Sequence, residues 1–396
     1  MTDGARGSSG RRAQGAVAAD GRLPAPAPAL AVLSVETIPL RVPLARTFHG
    51  SHYRMTHRST IVVRLHTEPG IVGEAYAGDE DAALLEIERI IADEIAPRLQ
   101  GEDAFAVERC WELARPATYD ILRDRRHGLV ACACVDAAVW DAVGKALGQP
   151  LWRLWGGYRR RLTMIAIGGY YGEGADVGAE VEALRELGVG GLKMKVGGLD
   201  PHADADRVRE ARRAGGDDFV LAADANQAWT PQEAVRFARL VEDVGLAWLE
   251  EPCRWHNDLR AMRDVRYRAG VPICAGQSEY SARACADLIL AGAIDVCNFD
   301  ASWSGGPTEW RRVAGLAHAC DVRMGHHEEP QVAGHLLASI PHGTYVECFH
   351  PDRDPIWWNL VANRPVLRDG AIELGDGPGL GWELDEDFLE AHRVER

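Results

Sequence analysis

The sequence predicts an α/β protein: a (β/α)8-type TIM barrel with an N-terminal α+β capping domain. Three observations predict it. After Gly156 and Gly157, short apolar stretches recur eight times at intervals of about 25 residues, the size of a βα unit. Helical periodicity fills the gaps between them. Residues 31–155 instead read as strands first and helices after, the order of an α+β unit. A doubly wound open sheet is the rival, but the chain has no Gly-rich phosphate loop.

In the first region, 33–42, 60–66 and 71–75 are β-rich and partly alternating, and Pro69-Gly70 supplies a turn. Helical spacing follows over 81–95 and 129–147, with Gly148-Gln149-Pro150 as a stop. The eight later strands fall at 162–167, 192–196, 219–223, 247–249, 272–275, 295–298, 322–324 and 345–346. Stretches 177–187, 231–244 and 307–319 are predicted helices between them. The domains expected are a disordered tail at 1–30, the cap at 31–155, the barrel at 156–370, and a C-terminal segment at 371–396 returning to the cap.

The formal net charge of −15 argues against nucleic acid, whose phosphates need a basic face. It leaves room for a small acidic substrate held by a local cluster of cations. Nine scattered cysteines, several inside apolar runs, read as reduced buried thiols of a cytoplasmic protein. Cys132 and Cys134 are two apart on a predicted helix and point to different faces. No apolar run approaches the roughly 18 residues of a membrane span. Arg11-Arg12 is a twin arginine with no apolar segment of signal-peptide length behind it.

In a barrel of this kind the chemistry sits at the C-terminal ends of the strands. Those ends carry Lys193 and Lys195, Asp224 with Asn226, Glu250, Gln277 with Glu279, Asp300, His326 and His327, and Glu347. Asp224 and Glu250 offer hard oxygens suited to Mg2+. A lysine near a second lysine and a metal can serve as a base, and His327 with Asp300 makes an imidazole–carboxylate pair. A metal flanked by two bases suits removal of a proton beside a carboxylate, because the metal stabilises the charge that develops. Taken singly, each group has an ordinary reading: alternate lysines on a strand, an Asp-x-Asn turn, a Glu-Glu-Pro helix start. Their joint occurrence at consecutive strand ends carries the functional reading.

These residues resemble the enolase superfamily, mandelate racemase subgroup, over roughly residues 31–385. The run from Asp136 through Trp140 and Asp141 to Gly144-Lys145, then Pro150-Leu151-Trp152, resembles the family's cap-to-barrel junction. Lys193-Met194-Lys195, Asp224-Ala225-Asn226, Glu250-Glu251-Pro252, Asp300 with Gly305-Gly306, and His327 resemble its barrel motifs. The resemblance implies Lys195 as base on one face of the substrate carbon and His327, oriented by Asp300, on the other. It places Lys193 near the substrate carboxylate, depressing Lys195, and gives Glu347 a hydrogen bond to that carboxylate. It also implies Asp224 and Glu250 on Mg2+, and a symmetric homo-oligomer.

The match departs at the third metal ligand, where the family has an acid. Spacing favours Gln277, whose oxygen brings no charge; Glu279 faces the same way only if the strand continues. Spacing favours His327 over His326. The resemblance implies a loop over the mouth at residues 47–58; its donor-rich content is expected to bring His49 and Arg54 to the substrate, and Trp303 is expected to wall the pocket. The function expected is Mg2+-dependent dehydration of an acid sugar to a 2-keto-3-deoxy acid. The alternative is a racemase or epimerase of a 2-hydroxy acid, and a third reading is a non-catalytic binding protein.

Overall fold

The computed structural model describes residues 30–76, 78 and 82–395. The tail expected at 1–30 lies outside them except for Leu30, which is buried. The chain begins with a three-stranded antiparallel sheet of β1 (Val32–His49), β2 (Arg54–Thr67) and β3 (Val72–Tyr76), in that spatial order. β1 and β2 run past the ends read from apolar content. After a register shift beyond Pro43, pairing resumes at Phe48 with Met55 and His49 with Arg54. Most of the expected loop at 47–58 is therefore strand. Backbone bonding between the two arms holds it, and backbone bonding leaves no trace in hydrophobic periodicity.

The helix Arg125–Leu147 packs on this sheet. The Asp124 side chain accepts from Arg126 N–H at its start, and Gly148, at φ 63°, ends it in the left-handed conformation that favours glycine. Asp141 on this helix accepts from Glu74 N–H of β3 at 2.7 Å and from Leu380 N–H at 2.6 Å. Lys145 pairs with Asp141 at 2.7 Å and donates to the Val72 carbonyl at 2.8 Å. This part of the sequence motif thus ties the first sheet, its covering helix and the C-terminal stretch together.

Each of the eight later stretches holds a strand: β4 (Arg161–Gly168), β5 (Gly191–Lys195), β6 (Val220–Asp224), β7 (Leu249–Glu250), β8 (Ile273–Ala275), β9 (Val296–Cys297), β10 (Arg323–Met324) and β11 (Val346–Phe349). They form a parallel half-barrel sheet, paired in chain order from β4 to β10, with β11 on the other side of β4. β12 (Ala371–Glu373) joins β4 antiparallel. Helices such as Val177–Glu186, Pro231–Leu240 and Pro307–Ala319 connect the strands. After β12 the chain runs back to the first sheet, where Val394 N–H donates to the Pro39 carbonyl at 2.9 Å.

Strand parity separates core from site. Ile165, Ala222, Trp248, Cys274 and Val296 form one apolar cluster. Two residues beyond Ala222 and Trp248, on the same face, stand Asp224 and Glu250. Leu192, Met194, Ala223 and Leu249 point the other way, into the main core beneath the helices. The charged layer therefore rests on an apolar one.

Gly306 shows how the first region is locked to the parallel-sheet region. Its φ is 95°, and a Cβ there would lie 2.5 Å from Asp136 Oδ2. Asp136 in turn accepts from Thr308 N–H and Oγ1–H, each at 2.8 Å. Gly306→Ala is expected to destabilise the fold by about 1–3 kcal/mol through overpacking and backbone strain, read as a lower urea midpoint. All nine cysteines are free thiols, and no helix among the described residues is long and apolar enough to cross a membrane.

Candidate active site

Five buried charges meet at the strand ends. Lys195 Nζ lies 2.7 Å from Asp224 Oδ2, its register partner on the next strand. Lys193 Nζ lies 2.8 Å from Glu250 Oε1 and 2.7 Å from Glu347 Oε1. Asp224 also accepts from Asn226 N–H at 2.9 Å and from Asn226 Nδ2 at 3.2 Å, and Glu250 accepts from Trp248 Nε1–H at 2.8 Å. Burial pulls both ammonium groups down. The carboxylates outweigh it: Asp224 holds Lys195, and Glu250 and Glu347 hold Lys193, above the ordinary lysine value. Lys193 is thus locked between acids, and Lys195 is paired with Asp224. Burial likewise pushes Asp224 up, but Lys195 and Lys193 bring it below its usual value.

His327 sits on the far side. Its Nδ1 is 3.0 Å from Asp300 Oδ2 and its Nε2 is 3.2 Å from Glu328 Oε1. Asp300 is fixed in turn by Ser302 N–H, Ser302 Oγ–H and Trp303 N–H at 2.7, 2.6 and 3.2 Å. Burial disfavours a charged His327, yet Glu328 and Asp300 raise its pKa to about 9. His326 is consumed structurally: Nδ1–H donates to the His327 carbonyl at 2.8 Å, and Nε2 accepts from Ala301 N–H at 3.1 Å. It was expected as a substrate contact, but both ring nitrogens are committed to backbone.

The loop after β8 separates the two candidate metal ligands. β8 ends at Ala275, and Gly276, at φ 143°, turns the chain. Strand alternation therefore stops before Glu279. Gln277 is buried and lines the cavity, with Oε1 accepting from Asn298 Nδ2 at 3.3 Å and Nε2 donating to Glu251 Oε2 at 3.4 Å. Glu279 is half-buried beyond it; burial, then Asp258, Glu251 and Asp287, lift its carboxyl to about 7. Among the described residues no three His, Cys, Asp or Glu side chains converge as a metal cluster.

A cavity of about 260 Å³ is lined by Lys195, Asn226, Gln277, Trp303, His327 and Glu328, with Arg353, Tyr53 and Met55 completing it. The Trp303 ring lies 4.9 Å from that of His327. Tyr53 and Met55 come from the β1–β2 hairpin, and Lys195 Nζ lies 5.7 Å from the Tyr53 ring centre. Arg54, between Tyr53 and Met55, is exposed and off the cavity wall, as alternation requires. His49 lines a neighbouring cavity of about 560 Å³ instead, held by Tyr171 N–H donating to its carbonyl at 3.0 Å.

Tyr53 lies in the segment expected over the site; sequence reasoning missed three contributors. Met55 was legible only once β2 was known to start at Arg54. Glu328 follows His327 directly, and that adjacency was the available signal. Arg353, which lines both cavities, lies in the turn after β11 and carried no motif.

Behind the cavity, Arg58 on β2 is 1% exposed. It reaches Glu329 Oε1 at 2.5 Å, Asp354 Oδ1 at 3.3 Å and Glu328 Oε2 at 3.8 Å. One guanidinium from the antiparallel sheet thus spans the loops after β10 and β11. Glu328 and Glu329 both have positive φ, 52° and 49°, a conformation costly for residues with a Cβ.

Comparison with known proteins identifies the family. Residues 32–156 match the mandelate racemase/muconate lactonizing enzyme N-terminal domain, and residues 176–388 match the enolase C-terminal domain-like family. The chain is 31% identical to a 3,6-anhydro-alpha-L-galactonate cycloisomerase of Streptomyces coelicolor, over 90% of this chain and 97% of that one. It is 30% identical to an L-talarate/galactarate dehydratase of Salmonella typhimurium, over 89% and 88%. A crystal structure of a mandelate racemase/muconate lactonizing enzyme from a marine actinobacterium, in complex with magnesium, superposes with a TM-score of 0.89 at 57% identity, covering 92% of this chain and all of that one. The chain therefore belongs to the mandelate racemase/muconate lactonizing enzyme family of the enolase superfamily.

Proposed function

We propose that the protein uses Mg2+ to dehydrate an acid sugar to a 2-keto-3-deoxy acid. The observation that carries this is the pairing of Lys195 and His327, each fixed by its own carboxylate, on one cavity above Asp224 and Glu250. The sheet is read as closing into a barrel around it, supported by Met324 N–H bonding to the His342 carbonyl at 3.0 Å and Thr344 N–H to the Met324 carbonyl at 2.8 Å.

The donor set fits a hard cation. Asp224 and Glu250 are in register on adjacent strands, Asn226 and Gln277 line the cavity, and the buried Asn226 Oδ1 has no hydrogen-bond partner. Two carboxylates with amide oxygens and water suffice for Mg2+. When bound, Mg2+ supplies charge for the substrate carboxylate and for the enolate, and draws on oxygens that otherwise hold the two ammonium groups.

Lys195 Nζ, as the neutral amine, takes the proton from Cα, and the C–H electron pair passes into the carboxylate. That pair then forms the Cα–Cβ double bond as the Cβ–O bond breaks towards oxygen. His327 Nε2 gives its proton to that oxygen, and water leaves. The enol takes a proton at Cβ and becomes the keto acid. Asp300 holds the imidazole in place throughout, and the Trp303 ring excludes water beside it.

The test is incubation with Mg2+ and a library of mono- and diacid sugars, assayed for 2-keto acids; no turnover across the library overturns the reading. A second reading, racemisation or epimerisation of a 2-hydroxy acid, is favoured by the same pair of bases on one cavity. It predicts exchange of the α-proton in D2O without loss of water. For the metal, Gln277→Glu is expected to tighten Mg2+ binding about tenfold by adding a charged ligand, measured by titration calorimetry. Saturation at a hundred times Kd should stabilise the protein by about 2.7 kcal/mol. An unchanged affinity in Gln277→Glu would remove Gln277 from the metal.

A further inference from the structure

His327 is held on both ring nitrogens by carboxylates, Asp300 on Nδ1 and Glu328 on Nε2, at 3.0 and 3.2 Å. A neutral imidazole has one N–H donor, so it satisfies only one of the two. Nε2 is also the nitrogen left to face substrate, since Asp300 occupies the other. Glu328 lines the cavity beside Lys195 and Gln277. Its backbone N–H donates to Glu347 Oε2 at 3.0 Å, and Glu347 in turn holds Lys193. That bond and the Arg58 contact fix the residue in left-handed backbone, where strain of about 1–3 kcal/mol is sustained only by the surrounding structure.

We propose that Glu328 is a positioning residue of the acid–base group, holding His327 as an imidazolium with its Nε2 proton on the substrate side until the leaving hydroxyl takes Glu328's place. This rests on the acid role given to His327 above. The resting enzyme then carries its acid preloaded, and His327 cannot act as the α-proton base until that proton is gone. The consequence is direction: proton removal falls to Lys195, and His327 delivers.

Several groups act on this pair. Asp300, Lys193 and Glu251 face His327, while Arg58, Arg353, Asp300 and Tyr170 act on Glu328. Burial pushes Glu328 up, but His327, then Arg58 and Arg353, bring its pKa below the usual value. Glu328 therefore faces His327 Nε2 as an anion at ion-pair distance.

The experiment is a titration of histidine-labelled full-length protein by NMR, without substrate, with the His327 signal assigned by its loss in His327→Asn. In Glu328→Gln the His327 midpoint is expected to fall by about one to two units. Glu328→Asp, which keeps the charge, should restore most of that shift and guards against a variant that fails to fold. On the acid-sugar substrate, the falling basic limb of kcat/KM should move down by the same amount in Glu328→Gln, with kcat affected more than KM. An unmoved His327 midpoint in a folded Glu328→Gln overturns the proposal. A lowered midpoint supports it even if no acid sugar turns over in any variant, and that second result would sink the dehydratase reading alone.

Discussion

Lys195→Gln is expected to lower kcat by about 10²- to 10⁴-fold, the usual contribution of a positioned general base. Glutamine keeps a donor on Asp224, whose other contacts to Asn226 survive, so circular dichroism and the urea midpoint should change little. The loss should be in kcat rather than KM, because Lys195 acts on Cα and the carboxylate is held elsewhere. Exchange of the α-proton in D2O should disappear along with turnover. If Lys195→Gln retained activity within tenfold of the parent, or still exchanged the proton, the base would have to be sought elsewhere on the cavity.

The largest structural effect is expected at Arg58. Arg58→Met removes the guanidinium that three carboxyl groups share, and leaves Asp354 with the Trp357 N–H and Glu329 with the Gln331 amide in place of a cation. Breaking a buried ion pair from one side costs about 3–5 kcal/mol, so the urea midpoint should drop sharply. Lysine should rescue only part of the loss, since a single ammonium cannot bridge contacts that the guanidinium reaches through Nε and both terminal nitrogens. Burial, opposed by Arg58, pushes Glu329 up to about 8. A carboxyl with a raised folded pKa binds its proton more tightly in the folded chain. Its contribution is therefore fully present below the ordinary glutamate range and is lost as pH rises towards about 8. Glu329→Gln should flatten that part of the stability–pH curve; a curve unchanged in shape would exclude Glu329 as its source.

Sequence carried the site wherever strand parity carried it. Lys193, Lys195, Asp224 and Glu250 follow inward-facing apolar positions on regular strands, and the structure brings them within bonding distance of one another or of Glu347. Parity failed where the backbone left the strand. Gly276 turns the chain after β8, so Gln277 enters the cavity and Glu279 does not line it. At 326–329 the strand has ended, and only the backbone bonds of His326 show which histidine is structural. Apolar content located β1 and β2 but stopped short of their outer arms, which are polar strands held by pairing across the hairpin. Arg353 could not be found from local pattern, because what makes it a wall residue is the approach of a turn distant in sequence from everything else on the cavity.

That hairpin has a further consequence. Its pairing is made by main-chain groups, while its tip presents Tyr53 and Met55 to the cavity. Mutation can exchange those two side chains without loosening the ladder that carries them, while Lys195 on β5 and His327 after β10 stay in the sequence. Inheritance of the chemistry and drift of the preferred substrate are thereby uncoupled. Diversification under selection is expected to concentrate at this tip, with the strand-end charges as the fixed part of the lineage.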